Sequence, residues 1–351
     1  MPPVNRFSVT FLPWLELTQE VIVGDFCFWP FRKLASQKVA DPQTRQHLDK
    51  VFETYVQPEP FPPKPRRTVR VSEVTVVTGH DYSFSSGLDA AAVVQAKNAL
   101  AFAFIDSNND NNWCTSENFE LVRLEFYPGD PNIGYRAGEI ARLDSLGWQL
   151  GEVLFQRPIF VNGHYNPKCD DDLLRALSFA LSNSSSPEVQ TILRALDYFA
   201  QAYTNSGDVR KDLRIVLMSV LFEILLDLDI RNSREDFRAK IHATCGDAME
   251  PTAPYQIIHT GTGRVITTEQ LTAKQVWAEE FYKLRNKIVH GDQLIDQDFL
   301  FHGQSHFWLA VLFFRICIRK RLEGISAAGY KCTDGICQNN KGEFEFDFWA
   351  I

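Results

Sequence analysis

The chain has 351 residues, 45% of them hydrophobic and 23% charged, which is the composition of a globular protein with about two domains. Its net charge of −8 excludes a protein that coats nucleic acid through bulk electrostatics. Any contact with RNA must therefore come from a local basic patch.

Residues 1–167 are predicted to form a mixed α+β domain. Runs of β-branched and aromatic residues predict strands within 5–17, 19–31, 68–77, 119–127 and 151–161. An Asp-Pro start predicts a helix at 41–56, and a long apolar segment predicts a buried helix at 88–106. Between them, the five prolines of residues 57–67 indicate an extended connector.

Residues 168–325 are predicted to form an all-α helical bundle, because apolar residues recur there at helical spacing. The predicted helices cover 170–182, 189–203, 213–228, 235–243, 268–290 and 304–322. A turn-rich insert at 244–268 separates the fourth and fifth of these helices. Residues 326–351 would add a hairpin and a C-terminal strand in which acidic and aromatic side chains alternate.

The sequence carries no sign of export or of membrane insertion. Its N-terminal residues lack a basic segment followed by an apolar run, and the most apolar later run, residues 307–318, is too short for a span. Seven scattered cysteines then indicate reduced thiols in the cytoplasm. Cys332 and Cys337 are close in sequence, but with no second pair they favour an ordinary hairpin over a zinc site. No metal or other cofactor is expected.

The loop at 106–117 has part of the pattern of a calcium site. Asp106, Asn108, Asp110 and Glu117 fall at positions 1, 3, 5 and 12 of a calcium-binding loop. Position 6 is Asn111 instead of glycine, and the segment that follows has the pattern of a strand instead of a second helix. A polar loop without a metal is therefore the favoured interpretation.

The stretch FYKLRNKIVHGD, residues 281–292, ends a predicted helix and gathers groups that can carry chemistry. Asn286 and His290 lie one helical turn apart, and the side chain of Arg285 is long enough to reach the same point. Gly291 is a typical residue to end the helix. Two interpretations are open, because basic residues also favour the last helical turn by complementing the helix dipole.

The surroundings of this stretch favour the functional interpretation. A helix with Glu223 in its apolar stretch precedes it, and an apolar helix follows it. This order resembles the HEPN superfamily, and within it the Apea-like HEPN domains of prokaryotic anti-phage and abortive-infection proteins. The residues that match the family's Arg-polar-x3-His motif and its usual framing are Arg285, Asn286, His290, Tyr282, Ile288, Val289 and Gly291. The resemblance covers about residues 170–322, and the insert at 244–268 departs from a minimal HEPN bundle.

The resemblance implies a metal-independent endoribonuclease that acts as a homodimer, with the motifs of two protomers lining one cleft. A neutral His290 would take the proton of a ribose 2′-hydroxyl, since an unperturbed histidine titrates near pH ~6.5. Arg285 would hold the scissile phosphate, and Asn286 would orient the histidine or the substrate. The products would be a 2′,3′-cyclic phosphate and a 5′-hydroxyl.

Other residues would support this site. Tyr282 frames the motif, and Glu223 is either a partner of Arg285 or a residue that faces solvent. A phosphate-tracking patch would comprise Lys283, Lys287, Arg315 and Arg319. The alternative for the basic residues near 319–321 is plain complementation of the helix dipole.

Two further functions remain open. The HEPN-like bundle would serve as a non-catalytic dimerisation or binding module if Arg285 and His290 do not face a shared cleft. A calcium-regulated binding protein is the third hypothesis. In each case residues 1–167 would act as a sensor or regulator for a trigger or ligand that the sequence does not specify.

Overall fold

The computed structural model describes residues 7–58, 68–84, 88–107, 114–126, 154–158, 161, 169–204, 209–229, 231–245, 250–258 and 264–332. Contacts between Cα atoms divide these residues into two compact units. The first holds the described residues up to Asn183 together with Tyr203 and Thr204, and the second holds Ser184–Ala202 and the described residues from position 209 onward. Most of the predicted connector, the middle of the 106–117 loop and the predicted C-terminal hairpin and strand lie outside the described residues.

The first unit is a mixed α+β fold, as predicted. Its strands are β1 (Phe7–Leu12), β2 (Val21–Val23), β3 (Phe26–Pro30), β4 (Tyr55–Pro58), β5 (Thr68–Arg70), β6 (Thr75–Gly79), β7 (Val122–Phe126) and β8 (Phe155–Gln156). Its helices are α1 (Phe31–Lys38), α2 (Pro42–Phe52), α3 (Ala90–Ser107) and α4 (Asp171–Ser182). Within the described part, an antiparallel sheet has the strand order β2-β3-β6-β1-β7, and a second sheet has the order β5-β4-β8.

Two predicted elements of this unit are shorter than expected. The helix predicted at 41–56 is capped by Asp41, as the Asp-Pro start indicates, but it ends at Phe52 because the next residues pair as β4 with β5 and β8. The strand predicted at 68–77 is divided into β5 and β6. Glu73 lies in the gap, where its carboxylate accepts the N–H groups of Arg32 at 2.8 Å and Val74 at 3.0 Å.

The boundary between the compact units lies at Asn183, whereas the sequence analysis placed a domain boundary at residue 168. Helix α4 packs on α3 and β2 and belongs to the first unit. The N–H of Gly24, in the turn after β2, donates to Ser178 Oγ at 2.7 Å. Gly24 has a φ of +60°, and a side chain there would meet Leu181 Cβ at 3.1 Å, so glycine permits this close approach.

The second unit contains most of the predicted bundle helices. Its elements are α5 (Pro187–Ala202), α6 (Lys211–Leu226), α7 (Ser233–Cys245), β9 (Thr252–Ile258), β10 (Val265–Thr272), α8 (Ala273–His290), β11 (Leu300–Phe301), β12 (Gln304–Ser305) and α9 (His306–Gly324). The prediction of an all-α domain is wrong, because β9 and β10 form an antiparallel hairpin inside the predicted insert. Helix α8 therefore starts at Ala273 instead of residue 268, where Thr272 and Gln275 form a capping box.

Aromatic side chains hold these helices together. The ring of Trp277 on α8 lies 4.3 Å from that of Phe313 on α9 and 5.1 Å from that of Phe281, measured between centroids. Phe222 on α6 lies 5.2 Å from Phe237 on α7 and 6.3 Å from Phe281. Since rings of this size bury large apolar areas, the cluster fixes α8 against three neighbouring helices.

The described cysteines are not all reduced, contrary to the prediction. Cys332 is disulfide-bonded, whereas the other described cysteines, Cys27, Cys114, Cys169, Cys245 and Cys317, are free thiols. Among the helices that the structure describes, none is both long and apolar enough to cross a membrane.

Candidate functional site

Helix α8 ends at the predicted motif, and its face is set by the aromatic cluster. Trp277, Phe281 and Leu284 are buried, as their helical spacing predicts. The packing of Phe222 against Phe281 brings the next residue of α6, Glu223, opposite the last turns of α8.

Glu223 links the two helices through one carboxylate oxygen. Its Oε1 accepts a hydrogen bond from the Tyr282 hydroxyl at 2.8 Å and one from Arg285 Nη2 at 3.1 Å. Burial raises the pKa of Tyr282, so this hydroxyl keeps its proton and remains a donor to Glu223. Of the two alternatives for Glu223, the structure therefore has the pair with Arg285.

The Arg285 guanidinium is held in place by hydrogen bonds that occupy only some of its N–H groups. Its Nη1 donates to Asn286 Oδ1 at 3.1 Å, and the Tyr282 ring lies 5.4 Å from its Cζ. Nε is buried and has no partner among the described residues. Because a guanidinium has five N–H groups, each Nη atom keeps one N–H for a ligand. The side chain is about one-quarter exposed, so a ligand can reach it.

His290 is the last residue of α8, and it is exposed. Gly291 ends the helix with a φ of +76°, and its N–H donates to the carbonyl of Ile288 at 3.1 Å. The N–H of Asp292 donates to the carbonyl of Lys287 at 2.9 Å, which completes a Schellman-type end. This end places an imidazole at the surface, five positions after Arg285.

The predicted phosphate-tracking patch is only partly available to a ligand. Arg315 and Arg319 are 2% and 1% exposed, so their prediction as surface contacts is wrong. Arg319 Nη1 donates to the hydroxyl of Tyr330 at 2.7 Å, which places this cation inside the fold instead of on a basic surface. Of the two lysines, Lys283 is largely buried, and Lys287 is exposed beside Asp298 at 2.8 Å.

A cavity of about 390 Å³ lies beside α8. The residues that α8 contributes to its wall are Val276, Glu280, Lys283, Leu284 and Lys287. The hairpin strand β9 adds Tyr255, and residues between Gln297 and His306 complete the lining. The sequence shows His302 and His306 four residues apart. It does not show the cavity, because the walls come from segments that only the tertiary fold brings together.

The candidate site thus joins a fixed cation, an amide and an exposed imidazole on one helix end. Such a set can bind an anion and exchange a proton with it. Among the described residues, no three or more His, Cys, Asp or Glu side chains are grouped so that they could hold a metal ion. The central positions of the possible calcium loop, 108–113, lie outside the described residues. Comparisons with models of known families, with curated proteins and with solved structures found no match.

Proposed function

We propose that this chain is a metal-independent endoribonuclease, an RNA-cleaving effector of a defence or toxin-type system regulated by its first unit. The observation that carries the proposal is the C-terminal end of α8. There, Arg285 is oriented by Glu223 and Asn286 and lies five positions before the exposed His290.

The proposed reaction uses the ribose 2′-hydroxyl of RNA as the nucleophile. Neutral His290 accepts the hydroxyl proton while the 2′-oxygen forms a bond to phosphorus. The bond between phosphorus and the 5′-oxygen breaks, and the protonated His290 gives its proton to that oxygen. The remaining N–H groups of Arg285 stabilise the charge on the phosphoryl oxygens. The products are a 2′,3′-cyclic phosphate and a 5′-hydroxyl, and DNA would not react.

The proposal includes a homodimer in which two helix ends share one cleft. Val289 precedes His290 and is 53% exposed, and Ile295 follows it at 64% exposed. Exposed apolar side chains beside the candidate site would be covered by a second copy of the chain. RNA would then contact the motifs of both protomers.

A non-catalytic binding module is the second candidate. It is favoured by the internal bonds of Arg285, since the ion pair with Glu223 also explains the residue as a link between α6 and α8. In that case the helix end would serve recognition or dimerisation without cleavage.

RNA cleavage in excess EDTA separates the two candidates. We expect the wild-type chain to release fragments with 2′,3′-cyclic phosphate ends, and the His290→Ala variant to release none. His80→Ala is the matched control, because His80 is also an exposed histidine but lies in the first unit. If no RNA is cut, or if His290→Ala cuts as fast as the wild type, His290 is not catalytic and the binding module is the better explanation.

A further inference from the structure

The cavity along α8 is lined by rings. Tyr255, Phe301, His302 and His306 all contribute to its wall. The Phe301 ring lies 5.8 Å from the His306 ring, and Leu284 adds an apolar surface. Rings and polar side chains share this wall, which suits a planar ligand with polar edges, because aromatic rings stack on such a ligand and the polar atoms fix its orientation.

His306 contributes a ring to the cavity wall, and one nitrogen of that ring has no hydrogen-bond partner among the described residues. The residue is 3% exposed, and its Nδ1 has no hydrogen-bond partner among the described residues. Burial lowers its pKa to about 4, so the ring is neutral at pH 7 and carries one donor and one acceptor. A buried polar atom without a partner is costly, so we expect a ligand that bonds to Nδ1 to remove that cost.

The two lysines of the cavity differ in how many of their N–H groups are available to a ligand. Lys283 is tied to the Tyr255 hydroxyl at 3.0 Å and to Glu280 at 3.0 Å, so it is part of the wall. Lys287 is 47% exposed, and its bond to Asp298 leaves two of its three N–H groups for a ligand. Two lysines facing two carboxylates give the cavity no net charge. An uncharged group therefore fits inside, while an anion fits beside Lys287.

We infer that this cavity holds one unpaired nucleotide of an RNA, with the base inside and a backbone phosphate on Lys287. The inference rests on the proposed function. Proteins read single-stranded RNA in this way, by stacking a splayed base on aromatic rings and bonding to its edge. Lys287 and His290 are three residues apart on α8, so they are neighbours on the helix surface. The cavity is thus a subsite for a nucleotide next to the bond that His290 would cleave.

Binding of non-cleavable RNA tests the inference separately from cleavage. The probes are fluorescein-labelled 2′-O-methyl heptanucleotides of uridine, cytidine or adenosine, which lack the attacking hydroxyl. We expect at least one probe to bind the full chain, and we expect Lys287→Ala and His306→Gln each to weaken that binding about tenfold. Circular dichroism shows whether each variant is folded, and Lys287→Ala keeps the test valid if His306→Gln unfolds.

Matched controls come from the same unit. Lys320 is an exposed lysine paired with Glu323 at 3.2 Å, so Lys320→Ala removes the same kind of pair away from the cavity. His242 has an unpartnered Nδ1 but does not line the cavity, so His242→Gln is the control for His306. Both controls should bind the probes as the wild type does.

Three results would overturn the inference: no probe binds, the cavity variants bind as well as their controls, or uridine and adenosine monophosphates bind while the heptanucleotides do not. The last result would make the cavity a site for a free small molecule. None of these results depends on His290, so the nuclease proposal would still be decided by its own cleavage assay.

Discussion

One carboxylate oxygen, Glu223 Oε1, fixes the positions of two side chains of the candidate site. It accepts from Tyr282 and Arg285 at once, and both donors lie on the last turns of α8. Both side chains of the ion pair are less than one-third exposed, so solvent and salt screen the pair less than they screen a surface pair. Its main effect on the candidate site is to fix the position of the Arg285 guanidinium, and its contribution to the free energy of unfolding is smaller.

Replacement of Glu223 by glutamine would keep the bond from Tyr282 and remove the charge that aligns Arg285. We expect the free energy of unfolding to fall by about 1 kcal/mol. We expect the rate of RNA cleavage to fall about tenfold, because the guanidinium loses its orientation. Chemical denaturation and single-turnover cleavage measure the two effects. Glu235→Gln, at an exposed position of α7, should change neither, and equal cleavage by both variants would contradict the role given to Glu223.

His306 makes stability depend on pH. Its pKa is about 4 in the folded chain and about 6.5 when unfolded, because burial disfavours the charged ring. Unfolding therefore takes up a proton between these two values, and the free energy of unfolding falls as the pH falls through that window. Between pH 7 and pH 5 we expect a loss of about 2 kcal/mol that His306→Gln does not show. Urea titrations of both proteins at the two pH values measure it, and identical pH dependence would contradict a buried neutral ring.

Individual side chains were predictable only where helical spacing determines their environment. The pair of Glu223 with Arg285 was one of two alternatives, since both residues lie near the apolar faces of their helices. Arg315 and Arg319 were expected on the surface because arginine is rarely buried. Their burial depends on neighbours such as Tyr330, which approach from outside the helix and leave no periodic signal.

The end of helix α8 depends on one backbone conformation. Gly291 adopts a φ of +76°, and no described atom lies within 4 Å of the place where its side chain would be. A substitution there would meet no clash, so its cost would come from the backbone alone.

Alanine at Gly291 should cost about 1 kcal/mol of stability and should also displace the turn that carries His290. Gly329 offers a matched comparison, with a φ of +72° and equally open space. We expect Gly291→Ala and Gly329→Ala to lower the melting temperature by similar amounts, and only Gly291→Ala to slow RNA cleavage. Equal loss of cleavage in both variants would mean that general destabilisation, and not the position of His290, is responsible.

Helices and strands in which apolar residues recur at a regular spacing were predictable from the sequence, and those without such a spacing were not. The long helices of the second unit show apolar residues at helical spacing, and the structure has them within a few residues of the predicted bounds. Strands β9 and β10 were missed because most of their residues are exposed or half-exposed, so they carry no run of buried apolar residues that would indicate a strand. The cavity could not be predicted from the sequence for a related reason, because β9, which was missed, supplies part of its wall.

The two compact units of the molecule carry different residues of interest. The division at Asn183 assigns α4 to the first unit, because α4 packs on α3 and β2. The second unit then carries the candidate site and the exposed apolar residues beside it. The proposal of a site shared by two protomers therefore requires that the second unit of one copy of the chain pairs with the second unit of another copy.

We expect the wild-type chain to sediment as a dimer, and Val289→Asp to sediment as a monomer that no longer cleaves RNA. A carboxylate at this position would have to be buried at the interface without a partner, which is unfavourable. Ile266→Asp is the control, because Ile266 is 59% exposed but lies on strand β10, away from the motif. Cleavage by a wild-type monomer would rule out a site shared by two protomers.

The packing of Trp277 against Phe313 has a consequence for biosynthesis. Helix α8 carries Arg285 and His290, but the partner that covers its core face, α9, is translated after it. A nascent chain that ends before α9 lacks the contact of Trp277 with Phe313, so α8 is held only by the helices that precede it. We therefore expect the candidate site to form only when α9 has left the ribosome. A nuclease assembled in this order would spare the messenger RNA and the ribosome that are producing it until α9 has been made.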